Sequence, residues 1–416
     1  MSKYIINGGR KLYGEIDIQC AKNAVLPIMA GSCMCDGVVT ILNSPQIADC
    51  ESMLNILRKL GCRIEVSDKS IEIDNSQMSN CVVPPDLARE LRSSIFLLGP
   101  ILTRFGVAKV AYPGGCEIGL RPIDMHLKGL RELNVKIKEE GGYIYCDARD
   151  MIGACVELDL PSVGATENIM MAAVGAKGVT VIGNAAKEPE IVDLQNFLVK
   201  CGADIRGAGT STITVRGVGK IKGAEYSPIK DRIVAGTYLL ATCMCGGEVN
   251  LKGAVSSELR SLTSKLSKYA CKTIVNSDNI YIKAYDRMSA VDIIETSPYP
   301  GFPTDLQAQT VAMLSVASGT SLMVENMFET RFKYVPELVK MGAKIVVRDR
   351  NAVISGVKSL KGAEVVARDL RGGAALVLAG LCAEGRTVVD NVFHIDRGYE
   401  NLDSVLRKLG ADITRE

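Results

Sequence analysis

Leu57-Arg-Lys-Leu-Gly-Cys-Arg-Ile64 reads as the close of one element and the opening of the next. Leucines at helical spacing run into a glycine stop, and a β-branched strand start follows. The phrase returns as Leu130-Arg-Glu-Leu-Asn-Val-Lys-Ile137, Leu198-Val-Lys-Cys-Gly-Ala-Asp-Ile205 and Leu266-Ser-Lys-Tyr-Ala-Cys-Lys-Thr273. It returns again as Leu338-Val-Lys-Met-Gly-Ala-Lys-Ile345 and Leu406-Arg-Lys-Leu-Gly-Ala-Asp-Ile413, the steps being 73, 68, 68, 72 and 68 residues. Six copies of one α/β repeat are therefore expected.

Upstream of each copy stands a second strand of the type Gly37-Val-Val-Thr-Ile-Leu-Asn43; the others begin at Gly106, Gly178, Gly246, Gly319 and Gly385. Before each of these comes another helix, almost uncharged after its first turn, as in Asp305–Gly319 and Leu370–Cys382. A helix apolar on every face is a buried one. Alternating strands such as Thr212-Ile-Thr-Val-Arg216 then belong outside, so the expected fold is α/β with buried helices and outer sheets. An open solenoid has atypical end repeats, and these repeats have none, so three closing on themselves, twice, is the preferred arrangement. The division is expected near Tyr226 to Lys230, and the cleft between the two lobes is expected to be an anion-binding site.

Composition narrows the function classes. At 416 residues, with 47% apolar and 23% charged residues, the chain has the balance of a soluble two-domain protein. Its formal net charge of +2 argues against nucleic acid and against a polybasic membrane surface as partners. Fourteen cysteines without a signal peptide fit a reducing cytoplasm rather than a disulfide framework. Apolar runs such as Ile95–Leu102 and Thr310–Ser318 fall short of the roughly 20 residues that span a bilayer.

The polar residues that open the buried helices are Lys22-Asn23, Arg92-Ser93, Thr166-Glu167, Asp231-Arg232, Asp305 and Arg371. Converging helix N-termini favour anions, and Lys22, Arg92 and Arg371 add full positive charges suited to phosphate or carboxylate. A cation at a helix start opposes the helix dipole, so it wants another reason to be there. The segment Tyr112-Pro-Gly-Gly-Cys-Glu-Ile-Gly-Leu-Arg-Pro-Ile-Asp124 has the glycines and prolines of a special loop, with Cys116 five residues before Arg121. A nearby cation favours the thiolate, which makes Cys116 a candidate reactive group. Cys33-Met-Cys35 and Cys243-Met-Cys245 look like metal pairs, but residues two apart on a helix do not face together, so packing is the expected role. With His126 and His394 the only histidines, a zinc cluster or histidine triad is not expected, and neither is a metal or a cofactor.

Lys22-Asn23, the loop ending Arg121-Pro-Ile-Asp124, Phe302-Pro-Thr-Asp305, Arg331 with Val335-Pro-Glu-Leu338, Asp369-Leu-Arg371 and His394-Ile-Asp-Arg-Gly-Tyr399 resemble the UDP-N-acetylglucosamine 1-carboxyvinyltransferase family over the whole length. The resemblance implies a two-lobed inside-out α/β barrel, residues 1–21 joining 230–416 in one lobe and 22–229 forming the other. It implies transfer of the enolpyruvyl group of phosphoenolpyruvate to the sugar's 3-hydroxyl, phosphate release, a role in peptidoglycan synthesis, and two small-molecule partners. By the same resemblance Lys22, Arg92, Arg121, Arg331, Arg371 and Arg397 surround phosphoenolpyruvate. Asn23, Arg121, Pro122, Ile123, Asp124, Met125, Ser162, Val163, Gly164, Asp305 and Met327 hold the UDP-sugar. Asp305 is the implied base, and Cys116 the implied proton donor and fosfomycin target, with Lys22 and Arg397 also catalytic. Ser93, Leu160 and Met327 depart from the commoner family pattern. Two alternatives stand beside this: the shikimate 3-phosphate enzyme of the same architecture, and a non-catalytic regulatory paralogue that binds UDP-sugar.

Overall fold

The computed structural model describes residues 2–114, 119, 122–266, 271–275, 278–284 and 287–416. Among them the chain forms two compact units, one of residues 2–19 and 230–416, the other of residues 20–114 and 122–229.

Each unit has three four-stranded sheets. In the 20–229 unit the sheet Cys155–Glu157, Val179–Gly183, Thr212–Arg216, Asp204–Arg206 shows the common plan. The short first strand lies parallel to the second, and the other pairs are antiparallel. Burial alternates strictly along Thr212–Arg216 and Asn351–Ser355, as it must when one face is wet and the other covers helices. The helices in between are the apolar ones. Lys22–Ser32, Leu98–Phe105 and Val163–Gly175 lie inside one unit, and Arg232–Cys245, Gln307–Leu314 and Leu370–Cys382 pack against one another inside the other. In Leu370–Cys382 every residue from Arg371 to Leu381 is buried. The fold class is thus the expected one: α/β, with helices inside and sheets outside.

The repeated phrase marks the ends of the outer helices. Ala48–Leu60 stops at Gly61, whose φ of 99° is the left-handed conformation that glycine tolerates. The second copy reaches the same geometry with Asn134, at φ 64°. In the fourth copy residues 267–270 lie outside the described residues.

Two of the sheets in the 230–416 unit are completed by the N-terminus. Lys3–Asn7 inserts between Arg386–Asp390 and Asp412–Arg415, and Leu12–Asp17 lies parallel to Gly247–Lys252. Gly247 is required there, because a Cβ would stand 2.0 Å from the Leu12 carbonyl oxygen. The chain then crosses into the other unit. Cys20 and Ala21 are fixed by bonds to the Pro228 and Ile229 carbonyls at 3.3 and 2.8 Å. No helix among the described residues is long and apolar enough to cross a membrane.

Candidate active site

In the 230–416 unit the helix starts gather charge. Asp305 lies in the 3-10 turn Thr304–Leu306 that leads into Gln307–Leu314. Its two carboxylate oxygens are held separately: Oδ1 accepts from an Arg331 Nη2 at 2.9 Å, and Oδ2 from an Arg371 Nη2 at 2.9 Å. Both arginine side chains are almost fully buried, at 3% and 4% exposure, while Asp305 keeps 28%. Arg371 is the second residue of its helix, and the Asp369 carboxylate caps that helix by accepting from the Arg371 and Gly372 N–H groups at 3.0 and 2.9 Å. Its guanidinium lies 5.5 Å from the centre of the Tyr399 ring. Burial works against its charge, but Asp305, Tyr399 and Asp231 outweigh burial and hold it protonated more firmly than usual. One N–H of each arginine, Arg331 Nε and Arg371 Nη1, is buried with no hydrogen-bond partner among the described residues. Such orphaned charged donors are costly unless something anionic meets them.

Two neighbours that sequence reasoning missed hold this arrangement. Glu325 is fully buried and accepts from the Thr296 and Thr304 hydroxyls, each at 2.9 Å, and from the Met327 and Phe328 N–H groups at 2.8 and 3.1 Å. It therefore fixes both the Thr304–Asp305 turn and the backbone of half-buried Met327. A carboxylate just past the strand Thr320–Val324 carries no local signal of that role. Tyr399 joins its hydroxyl to Thr237 at 2.8 Å and receives a bond from Gln309 Nε2 at 3.0 Å, so the ring beneath Arg371 is fixed. Arg397, half-buried, ends the short helix Phe393–Asp396. The turn after it is pinned by Gln19, which donates to the Gly398 carbonyl at 3.1 Å and accepts from Glu400 N–H at 2.9 Å.

In the 20–229 unit, Lys22 and Asn23 open Lys22–Ser32, and Lys22 Nζ pairs with Asp49 Oδ2 at 2.7 Å. Asp49, 4% exposed, sits in the first turn of Ala48–Leu60, where it also suits the helix dipole. Arg92 and Ser93, half-buried, begin the 3-10 turn Arg92–Leu97 that runs into Leu98–Phe105. Pro122 and Ile123 precede the helix Asp124–Glu132, which carries exposed Asp124 and half-buried Met125. Cys116 and Arg121 lie outside the described residues.

One helix start differs from expectation. Val163–Gly175 begins three residues before Thr166, because Ser162 caps it by accepting from Ala165 N–H at 3.3 Å. Val163 and Gly164 thus form its first turn, and Gly164 leaves room for Phe96 and His126, which a Cβ would approach to 3.0 and 3.1 Å. Thr166 and Glu167 are fully buried instead of opening the helix. Burial, reinforced by Glu190 and Glu188, raises the Glu167 carboxyl well above the usual range. The serine after Pro161 was the readable signal.

Buried helices whose first turns carry cations and one doubly held carboxylate, with three four-stranded sheets in each unit, form an α/β fold with charge gathered at its helix starts. The solved structure of the enolpyruvyl transferase NikO from Streptomyces tendae has this fold, with a TM-score of 0.89 at 23% identity over 100% of this chain and 98% of that one. The EPSP synthase from Acinetobacter baumannii has it too, with a TM-score of 0.75 at 16% identity over the full length of both. The chain belongs to the EPSP synthase (3-phosphoshikimate 1-carboxyvinyltransferase) family, which it matches over residues 6–406. Its relatives within that family include UDP-N-acetylglucosamine 1-carboxyvinyltransferase 2 of Caldanaerobacter subterraneus subsp. tengcongensis, 53% identical over 100% of both chains. UDP-N-acetylglucosamine 1-carboxyvinyltransferase of Myxococcus xanthus is 46% identical, again over 100% of both.

Proposed function

We propose that the chain transfers the enolpyruvyl group of phosphoenolpyruvate to the 3-hydroxyl of UDP-N-acetylglucosamine and releases phosphate. The carrying observation is the pair of buried arginines on either side of Asp305, each with an N–H donor that meets no acceptor among the described residues. Relatives at 46 to 53% identity that bear this activity's name support the sugar nucleotide over shikimate 3-phosphate.

The chemistry follows from the residue types. A proton adds to C3 of phosphoenolpyruvate, leaving C2 electron-poor, and the sugar 3-oxygen bonds to C2. Asp305 takes the hydroxyl proton, a positioned base contributing roughly 10²–10⁴ in rate. The adduct then loses a proton from C3 and phosphate from C2, which restores the double bond. In the structure each Asp305 oxygen accepts one guanidinium N–H bond, which leaves a lone pair for the proton but weakens the carboxylate as a base. The anionic substrate relieves this, because its oxygens compete for Arg331 and Arg371. Lys22, Arg92, Arg121 and Arg397 are assigned to the same anion, and Cys116 to proton donation and fosfomycin attack. Asn23, Pro122, Ile123, Asp124, Met125, Ser162, Val163, Gly164 and Met327 are assigned to the UDP-sugar. The setting we assign is cytoplasmic peptidoglycan synthesis.

The test is phosphate release from phosphoenolpyruvate with UDP-N-acetylglucosamine, with shikimate 3-phosphate, and with neither. Release only with the sugar nucleotide is expected. Release with shikimate 3-phosphate instead, or none under any condition, overturns the reading.

A further inference from the structure

Asn168 lies in the second turn of Val163–Gly175, wholly buried, with both ends of its amide engaged. Oδ1 accepts from the Gly99 N–H at 2.6 Å, while Nδ2 donates to the Ile95 carbonyl at 2.8 Å and lies 3.1 Å from His126 Nδ1. One side chain thereby ties together three segments of the 20–229 unit: the 3-10 turn Arg92–Leu97, the start of Leu98–Phe105, and the helix Asp124–Glu132. The approach requires glycine at 99, where a Cβ would stand 2.4 Å from the Asn168 carbonyl oxygen and 2.8 Å from its Oδ1.

These bonds fix a proton on another residue. The Gly99 N–H can only donate and the Ile95 carbonyl can only accept, so together they decide which end of the amide is oxygen and which is nitrogen. The second Nδ2 hydrogen is left for His126 Nδ1, and a ring nitrogen that receives an N–H must offer a lone pair. A neutral imidazole with a bare Nδ1 holds its proton on Nε2; a doubly protonated ring would set two N–H groups against each other. His126 is 7% exposed, and its Nε2 edge faces the first turn of Val163–Gly175. A Cβ on Gly164 would lie 3.1 Å from Cε1 and 3.2 Å from Nε2 of that ring.

We infer that Asn168 is a positioning residue of the reaction: it locks His126 as the Nε2–H tautomer, which presents an N–H donor to the sugar nucleotide at the Ser162–Gly164 turn. The inference rests on the assignment of Ser162, Val163 and Gly164 to UDP-N-acetylglucosamine. The start of a helix leaves backbone N–H groups open, and these favour the diphosphate of a nucleotide. A side-chain N–H aimed at the same turn adds to them, whereas a bare Nε2 would set a lone pair against the anion. Through Ile95, Asn168 also holds the turn that begins with Arg92.

The full chain, isotope-labelled at its histidines, has only His126 and His394 to observe. Nitrogen NMR reports which ring atom is protonated, and the signals missing from His126→Gln belong to His126. The expected wild-type result is a protonated Nε2 and a bare Nδ1. Asn168→Asp should reverse this, because a carboxylate accepts from an Nδ1–H. Calorimetry should then show UDP-N-acetylglucosamine binding weakened about three- to tenfold, the worth of one ordinary hydrogen bond, with KM for the sugar nucleotide rising more than kcat falls. His126→Phe should lose the same affinity, and His126→Gln, whose amide N–H can reach the Nε2 position, should recover most of it. A merely structural asparagine would lower the thermal midpoint without reversing the tautomer or separating the Phe and Gln variants. A bare Nε2 in the wild type overturns the inference, and so does equal affinity of the two His126 variants. Where Asn168→Asp fails to fold, the wild-type spectrum and the His126 pair decide. A wild-type chain that binds no UDP-N-acetylglucosamine overturns the proposed function and the donor role with it, while its spectrum still decides the Asn168 lock.

Discussion

The two compact units use one plan and differ at the helix starts. Each surrounds buried helices with three four-stranded sheets, so the packing problem is solved twice in the same way. In the 230–416 unit a single carboxylate, Asp305, is shared by two buried arginines. In the 20–229 unit a single lysine, Lys22, is matched by a single buried aspartate, Asp49. The lesson concerns where sequence is free to vary. Helix bodies must be apolar to fill the core, but first turns leave N–H groups unsatisfied and tolerate charge, so the charged side chains collect there.

The comparison can be broken most sharply at Asp305. Asp305→Ala should lower turnover by roughly 10²–10⁴ while titration calorimetry still registers UDP-N-acetylglucosamine binding. Turnover near that of the wild type would remove Asp305 from the chemistry. The ion pairs should then respond unequally. Lys22→Met strips Asp49 of its lysine in a buried setting and should cost about 3–5 kcal/mol in denaturant unfolding. A loss under about 1 kcal/mol would place this pair with ordinary surface ion pairs.

A third prediction concerns pH. Burial pushes the Asp193 carboxyl up from 3.8 to about 6, against lowering hydrogen bonds from Tyr226 and the Ile229 N–H. Between these two values the folded chain binds the proton more tightly than the unfolded chain. Stability of the 20–229 unit should therefore fall as pH rises through that window, by about 3 kcal/mol at most. Asp193→Asn should flatten that part of the profile; an unchanged slope would assign it to other groups. The smallest effect is expected from Arg331→Met, about 1–2 kcal/mol, because Asp305 keeps Arg371 at 2.9 Å. A cost equal to that of Lys22→Met would show that the second arginine gives no protection.

Much of this was legible because it is local. A glycine or asparagine stop after a leucine-spaced helix is a matter of backbone sterics, and all the described stops of this kind adopt left-handed geometry. The uncharged helices announced their own burial, and the charged first turns announced candidate ligands. The cap by Ser162 was also within reach, and overlooking it put Thr166 and Glu167 at a helix start they do not occupy.

The sequence by itself determined the six α/β repeats, which helices are buried, and which side chains are candidates for handling an anion. Those properties depend on periodicity and on residues adjacent in the chain. Only the tertiary structure decided that Asp305 is gripped by residues 26 and 66 positions away and that Glu325 fixes the turn beneath it. The reason is physical: a long-range pair leaves no periodic trace in the chain, and its partner is chosen by the geometry of packed elements rather than by neighbours in sequence.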